Sequence, residues 1–403
     1  MSKSSLIGGM LLIVGTSIGG GMLALPVAMA KNGFFSSILF LTLCWGVMTL
    51  GALLILEVNL HLPPGSNLIS MARLTLGWPG QVLAWILYLF LLYTLLAAYI
   101  SGGSDIVDAL ITSLGYSSSS HITAALFTFL FGSVVYHGIK AVDYVNRGFM
   151  LGKLCIYGLL IIIISPHIHL NNLQNGSLTI VSGSMMILVT SFGFASIVPS
   201  LRDYFQHDIK RLRWVIIFGS MIPLVCYIAW NAVIMGVIAR EGQHGLIALS
   251  HTHGLIALSH THHMTSELTH SLNIAIHNTY ITAFFSFFAS ICMVTAFLGV
   301  AIGLFDFLAD GLKLQKKGRQ GNLVFIITFL PPLIIVTVQP GLYLHALSYA
   351  GTCCVLLLLL LPTLMAWQIR QINTSLPYFR VFGGNWLLGF IALTAVILLA
   401  ISL

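Results

Sequence analysis

Long apolar runs separated by short polar intervals dominate this chain. A helix needs about 20 apolar residues to cross the hydrocarbon core of a bilayer. Eleven segments qualify, at approximately 6–30, 34–60, 80–110, 122–138, 148–166, 179–200, 212–238, 276–308, 322–338, 342–367 and 384–402. The intervals carry turn formers: Pro63-Pro64-Gly65, the serines at 117–120, Asn171-Asn172 and Pro340-Gly341. The pattern predicts an all-α integral membrane protein, with eleven transmembrane helices in a single domain over 1–403. The first run is too long, too broken by glycine and too closely followed by another span to be a cleaved signal peptide.

Composition agrees with this reading. Of 403 residues, 58% are hydrophobic and 7% charged, with a mean hydropathy of +0.99. A soluble domain carries about 25% charged residues to hydrate its surface, so the outside of this molecule must face lipid. The formal charge of +7 is no nucleic-acid signal, because the basic residues lie in short segments between apolar runs. With the N-terminus inside, the inner segments hold Lys3, Arg73, Lys140, Arg147, Lys153, Arg202, Lys210, Arg211, Arg213, Lys313, Lys316, Lys317, Arg319, Arg370 and Arg380. The outer segments hold Lys31 and Arg240. That asymmetry puts the N-terminus in the cytoplasm and, after eleven spans, the C-terminus outside.

Two spans are interrupted in the same way. Span 1 contains Gly15-Thr16-Ser17-Ile18-Gly19-Gly20-Gly21-Met22 and then Pro26; span 6 contains Thr190-Ser191-Phe192-Gly193-Phe194-Ala195-Ser196 and then Pro199. Both read Thr-Ser-x-Gly with a proline beyond. Each glycine inside a helix costs about 1 kcal/mol relative to alanine, and unwound backbone at membrane depth survives only where protein or a cavity surrounds it. A broken helix exposes N–H groups at one new end and carbonyls at the other. An amino acid zwitterion needs both, and paired breaks in two halves of a chain point to a midplane substrate site. Spans 1–5 and 6–10 run in opposite senses, which makes them an inverted repeat. Glycines also allow close helix packing, a simpler explanation for either stretch alone.

Other features bear less on function. The sequence HGLIALSHT at 244–252 recurs at 253–261, and residues 244–277 hold eight of the fifteen histidines. Metal binding and a tolerated loop duplication both fit these histidines, which have no cysteine among them. Cys44, Cys155, Cys226, Cys292, Cys353 and Cys354 lie in apolar runs without metal spacing and read as small core residues.

The motifs GTSIGGGMLALP at 15–26, TSFGFASIVPSL at 190–201 and FLGVAIGLFDFLAD at 297–310 resemble the bacterial hydroxy and aromatic amino acid permeases. Leu56-Glu57-Val58, Ala98-Tyr99-Ile100-Ser101 and Thr328-Phe329-Leu330-Pro331-Pro332 extend the likeness over nearly the whole chain. It implies the leucine-transporter fold of the amino acid–polyamine–organocation superfamily, with a 5+5 inverted repeat (approximately 6–166 and 179–367) and an extra helix at 384–402. It also implies proton-driven import of an aromatic amino acid, tyrosine foremost, across the bacterial inner membrane. The proton is the coupling ion and no cofactor is expected. The chain departs from the family at Ala195, where a histidine is common, and in its histidine-rich loop.

Residue roles follow. Thr16, Ser17, Gly19, Gly20 and Gly21 would present N–H groups and a hydroxyl to the substrate carboxylate. Ser191, Phe192, Gly193 and Phe194 would supply ammonium acceptors and an aromatic wall that closes over the substrate. Tyr93 and Tyr99 lie on span 3, where one of them reaches the pocket or both belong to the interface. Lys153 in span 5 falls where, in several proton-coupled members of the superfamily, a lysine replaces the sodium of other relatives. A snorkelling lysine would explain it equally. Thr295 is followed by Ala296, a poor hydroxyl supply for sodium. Glu57 is a cytoplasmic gate partner or an interfacial carboxylate. Asp306 and Asp310 share a face, either pairing with inner arginines as a gate or closing a solvated helix end. Asp105 and Asp108 are expected to be hydrated at the outer side.

No P-loop, zinc-protease motif or nucleophile elbow suggests an enzyme. A channel would need a filter loop or a charged ring. Tryptophan, phenylalanine, serine and threonine remain alternative substrates, and the oligomeric state is open.

Overall fold

A computed structural model describes residues 3–116, 118–174, 176–178, 182–205, 208–242, 244–255, 264–339, 341–372 and 379–402. Every regular element among them is helical: α1 (Lys3–Ser17), α2 (Gly20–Ala28), α3 (Gly33–Leu60), α4 (Leu68–Ser113), α5 (Ser120–Tyr136), α6 (Ile139–Ile164), α7 (Leu170–Gln174), α8 (Ser182–Ser191), α9 (Val198–Phe205), α10 (Ile209–Val237), α11 (Leu246–Leu255), α12 (Met264–Ile276), α13 (Thr279–Gly311), α14 (Gly318–Val338), α15 (Tyr343–Cys354), α16 (Leu361–Ile372) and α17 (Gly384–Ser402). Nine helical stretches among the described residues are long and apolar enough to cross a membrane. The pair α1 and α2, bent by 55° at the glycines, makes a tenth, and α5 is apolar but only 17 residues long. Large apolar side chains such as Phe35, Leu43, Phe90, Phe129, Ile162 and Phe390 cover the outside of the bundle. Such a surface is unsuited to water and matches lipid.

Inside, α10 lies against α1 and α3, α13 against α4 and α6, and α15 against α4 and α8. In lipid, helix association depends on close packing and hydrogen bonds, because tails are as apolar as leucine. Gly351 shows the consequence: a Cβ there would sit 2.1 Å from the Met186 carbonyl oxygen, so α15 meets α8 backbone to backbone. The contact matters because α8 is one half of the second interrupted span. The two interrupted spans are neighbours, with α2 packed on α8.

The structure corrects several sequence expectations. α4 begins at Leu68 rather than near 80, and its two parts meet at Gly77 (φ 76°, ψ −161°), just before Pro79. Positive φ is open to glycine at little cost, and Pro79 cannot continue the preceding helix. The long connection between α10 and α13 holds α11 and α12; the second copy of the histidine repeat falls largely on 256–263, outside the described residues. Between α15 and α16 the helix widens into a π turn at Val355–Leu360, which an all-leucine run gives no means of foreseeing. Asp105 is buried rather than hydrated, because other helices, α5, α13 and α15 among them, pack on α4.

Candidate functional site

The first break opens backbone on both sides. The Ile18 N–H still closes α1 on the Val14 carbonyl at 2.8 Å. Gly19 then turns extended (φ −148°, ψ −150°) and α2 starts at Gly20 with no side-chain cap. The first N–H groups of a helix have no carbonyl four residues back within that helix, so those of Gly20 and Gly21 lie at the positive end of α2 without an intrahelical acceptor. Ser17, Ile18, Gly19, Gly20 and Gly21 are all buried, and the Ser17 hydroxyl is itself buried without a partner.

The carbonyls of this break are held by three side chains from other helices. Lys153, on α6 and 1% exposed, places its ammonium 2.5 Å from the Ile18 carbonyl and 3.4 Å from Thr295 Oγ1. Thr295 donates its own proton to Ile291 at 2.8 Å, leaving its oxygen lone pairs for the lysine. The Tyr343 hydroxyl donates to the Gly20 carbonyl. The Tyr227 hydroxyl, on α10, lies 2.6 Å from the Ser17 carbonyl. Lys153 therefore does not snorkel to the headgroups; its charge turns inward to the end of α1.

The second break is milder. After α8 ends at Ser191, the chain tightens into a 3₁₀ turn over Gly193–Ile197 and resumes as α9. The Phe192 N–H bonds Val189 at 3.1 Å and Ser196 Oγ bonds the Gly193 carbonyl at 3.3 Å, so most of the backbone stays paired. The Ser191 carbonyl accepts from Tyr227 at 2.9 Å. One phenol thus touches the carbonyl ends of both interrupted helices. The expectation of two equal unwindings is corrected: three consecutive glycines bend span 1 sharply, whereas a single glycine between phenylalanines lets span 6 keep shorter-range bonds.

The walls follow from what each glycine faces. A Cβ on Gly20 would lie 2.7 Å from the Tyr99 ring and 3.2 Å from Met293 Sδ; on Gly21 it would meet Ser191 Oγ at 3.1 Å, and on Gly19 Ala296 Cβ at 3.3 Å. Phe192 is buried edge-on against Tyr227, with ring centroids 5.2 Å apart, and Phe194 is buried within the 3₁₀ turn. The structure thus brings together Ser17, Gly19, Gly20, Gly21, Tyr99, Ser191, Phe192, Lys153 and Thr295, with Gly193 and Phe194 in the turn that follows.

It leaves others elsewhere. Thr16 is exposed and donates to Ile13 at 2.9 Å within its own helix. Tyr93 donates to the Ile327 carbonyl on α14 at 2.7 Å and does not reach the break. Glu57 is 1% exposed and so not interfacial. It takes two bonds from Arg370, at 2.7 and 2.8 Å, and one from the Val381 N–H at 2.7 Å, while Arg370 also donates to Gly384 at 2.6 Å. This buried knot ties α3 and α16 to the start of α17. Asp306 pairs with Lys316 at 2.9 Å, not with an arginine, at a partly exposed helix end.

Tyr227, Tyr343 and Met293 escaped the sequence reading. Their spacing carries no motif. The available signal was that Tyr227 lies well inside a span, away from the interfaces where membrane tyrosines collect. Among the described residues no group of three His, Cys, Asp or Glu side chains is placed to hold a metal ion.

A lipid-facing helical bundle with opened backbone buried at its centre is built to carry a small molecule across a membrane. The sequence profile of the tryptophan/tyrosine permease family matches residues 2–402, and the chain belongs to that family. It is a multi-pass membrane permease and not an enzyme. Similar proteins include the tyrosine-specific transport system 2 of Haemophilus influenzae, 33% identical over 100% of this chain and 97% of the relative. A tryptophan-specific transport protein of Pseudomonas aeruginosa is 31% identical over 95% and 90% of the two chains. Glutamine transporter 2 of Aliivibrio fischeri is 28% identical over 98% of each.

Proposed function

We propose that this permease imports aromatic amino acids, tyrosine foremost, by proton-coupled symport across the bacterial inner membrane. The observation that carries the coupling is the Lys153 ammonium on the Ile18 carbonyl, inside the first break and beside Thr295. A lysine there does the work of a bound cation while protonated, holding the carbonyl end of α1 against α6 and α13. Loss of its proton weakens that hold and frees the inner half of span 1 to move. The first N–H groups of α2, at Gly20 and Gly21, with the Ser17 hydroxyl, suit the substrate carboxylate. The carbonyl ends at Ser17 and Ser191 suit the ammonium, and Tyr99, Phe192 and Phe194 suit an aromatic side chain.

The accompanying architecture is eleven spans in a single domain, with a 5+5 inverted repeat of the leucine-transporter type and α17 as the extra helix. The shared Thr-Ser-x-Gly sequence and the contact between α2 and α8 support the repeat. For orientation, Lys153 leaves the loop count because it is buried, and fourteen inner cations against two outer ones still favour a cytoplasmic N-terminus and a periplasmic C-terminus. A second reading, another amino acid as preferred substrate, draws support from the relatives named for tryptophan and glutamine.

The test is uptake of radiolabelled tyrosine into proteoliposomes, with and without an inward proton gradient and with unlabelled amino acids competing. Gradient-dependent accumulation that other aromatic amino acids compete away is expected. Accumulation without any gradient, or competition by small polar amino acids alone, overturns the reading.

A further inference from the structure

One group joins the two breaks and belongs to neither. Tyr227 is fully buried on α10, and its hydroxyl lies 2.6 Å from the Ser17 carbonyl and 2.9 Å from the Ser191 carbonyl. A phenol has one proton, so it fully satisfies one of these acceptors at a time. Both acceptors are the last carbonyls of interrupted helices, which have no partner within their own helix. They are also the groups that the substrate-site reading above assigns to an ammonium, and the present inference rests on that reading.

We infer that Tyr227 is a positioning residue that stands in for the substrate ammonium in the empty carrier. Its hydroxyl bridges the carbonyl ends of spans 1 and 6, holding the two breaks in register when no amino acid is bound. When an ammonium arrives, it takes one carbonyl and the phenol donates undivided to the other. Each carbonyl then has its own donor, and the phenol changes partner without leaving the site. The buried aromatic packing of Tyr227 against Phe192, 5.2 Å between centroids, keeps the ring in place while its proton switches. The consequence is specific to the transport cycle. A carrier doing net uptake must return empty, with these carbonyls satisfied by Tyr227 alone. A carrier exchanging labelled for unlabelled substrate crosses loaded in both directions and depends on the phenol less.

Tyr227→Phe keeps the ring and removes the donor, which leaves buried carbonyls unpaired in the empty state. One such lost bond corresponds to about tenfold. Net tyrosine uptake by proteoliposomes is expected to fall about tenfold or more, while tyrosine–tyrosine exchange falls distinctly less. The rise in melting temperature on adding tyrosine should be larger than for the unaltered protein, because substrate supplies the missing donor. Equal losses in both transport modes, or no loss in either, overturn the inference. If the variant does not accumulate folded, 3-fluorotyrosine incorporated at position 227 gives the same answer from an active protein. Its fluorine resonance should shift on saturation with tyrosine, and a resonance that stays put overturns the inference. Absence of aromatic amino acid uptake by the unaltered protein would instead refute the substrate assignment.

Discussion

The two interrupted spans share Thr-Ser-x-Gly, yet they depart from the helix by different amounts. In span 1, Gly19-Gly20-Gly21 removes every side chain over three positions, so the chain bends by 55° and the first N–H groups of α2 are left without an intrahelical acceptor. In span 6 a single glycine sits between Phe192 and Phe194, and the chain tightens to 3₁₀ without losing its direction. The difference is also one of space. Gly20 is pressed by Tyr99 and Met293, whereas a Cβ on Gly193 would meet nothing closer than Cys354 Sγ at 3.6 Å. Span 1 is thus opened by a requirement for bare backbone, and span 6 is eased by a loss of helix propensity. The sharper break is also the one that Lys153 grips, which places the residue proposed for coupling and the larger backbone opening in one region.

This comparison can be broken most forcefully at the lysine. Lys153→Ala should abolish proton-driven accumulation while tyrosine still binds, as measured by ligand-induced thermal stabilisation of the purified variant; retained accumulation would separate coupling from the first break. Next, Gly20→Ala forces a methyl group into the Tyr99 ring, and uptake should fall about a hundredfold, because a displacement near 1 Å at a positioned site costs on that scale. Uptake near the level of the unaltered protein would mean that the crowding seen at Gly20 relaxes freely. Smaller again is Tyr93→Phe, which loses the bond to Ile327 and should lower unfolding stability by about 1 kcal/mol, with KM for tyrosine unchanged. A raised KM would put Tyr93 in the site after all. Gly193→Ala should do least: ordinary contact with Cys354 and better helix propensity predict uptake within about threefold of the unaltered protein. A loss at Gly193 equal to that at Gly20 would erase the distinction between the breaks.

The helical nature of the chain and the position of its breaks were legible because both rest on local chemistry. A run of apolar residues long enough to span a bilayer has few alternatives, and three glycines in a row weaken a helix wherever they fall. The residues of the break itself, from Ser17 to Gly21 and from Ser191 to Phe194, were therefore readable in one dimension. Tyr93 and Tyr99 show the limit. They lie six positions apart on one helix, and only the helices packed around α4 decide that one meets Gly20 and the other Ile327. Glu57 was legible as an in-span charge, but its role as a knot depended on Arg370, more than three hundred residues away in the chain.

What the amino-acid sequence determined alone was the bilayer as solvent, the two places where a helix could not continue, and the candidate cation in span 5. Each follows from the solvation or the conformational preference of residues near one another in the chain. Only the tertiary structure decided which donors meet the opened carbonyls: Lys153 at Ile18, Tyr343 at Gly20, and Tyr227 shared between Ser17 and Ser191. In a medium without water, a freed carbonyl must find its partner within the protein. That partner is set by which helix packs alongside, and sequence spacing carries no record of it.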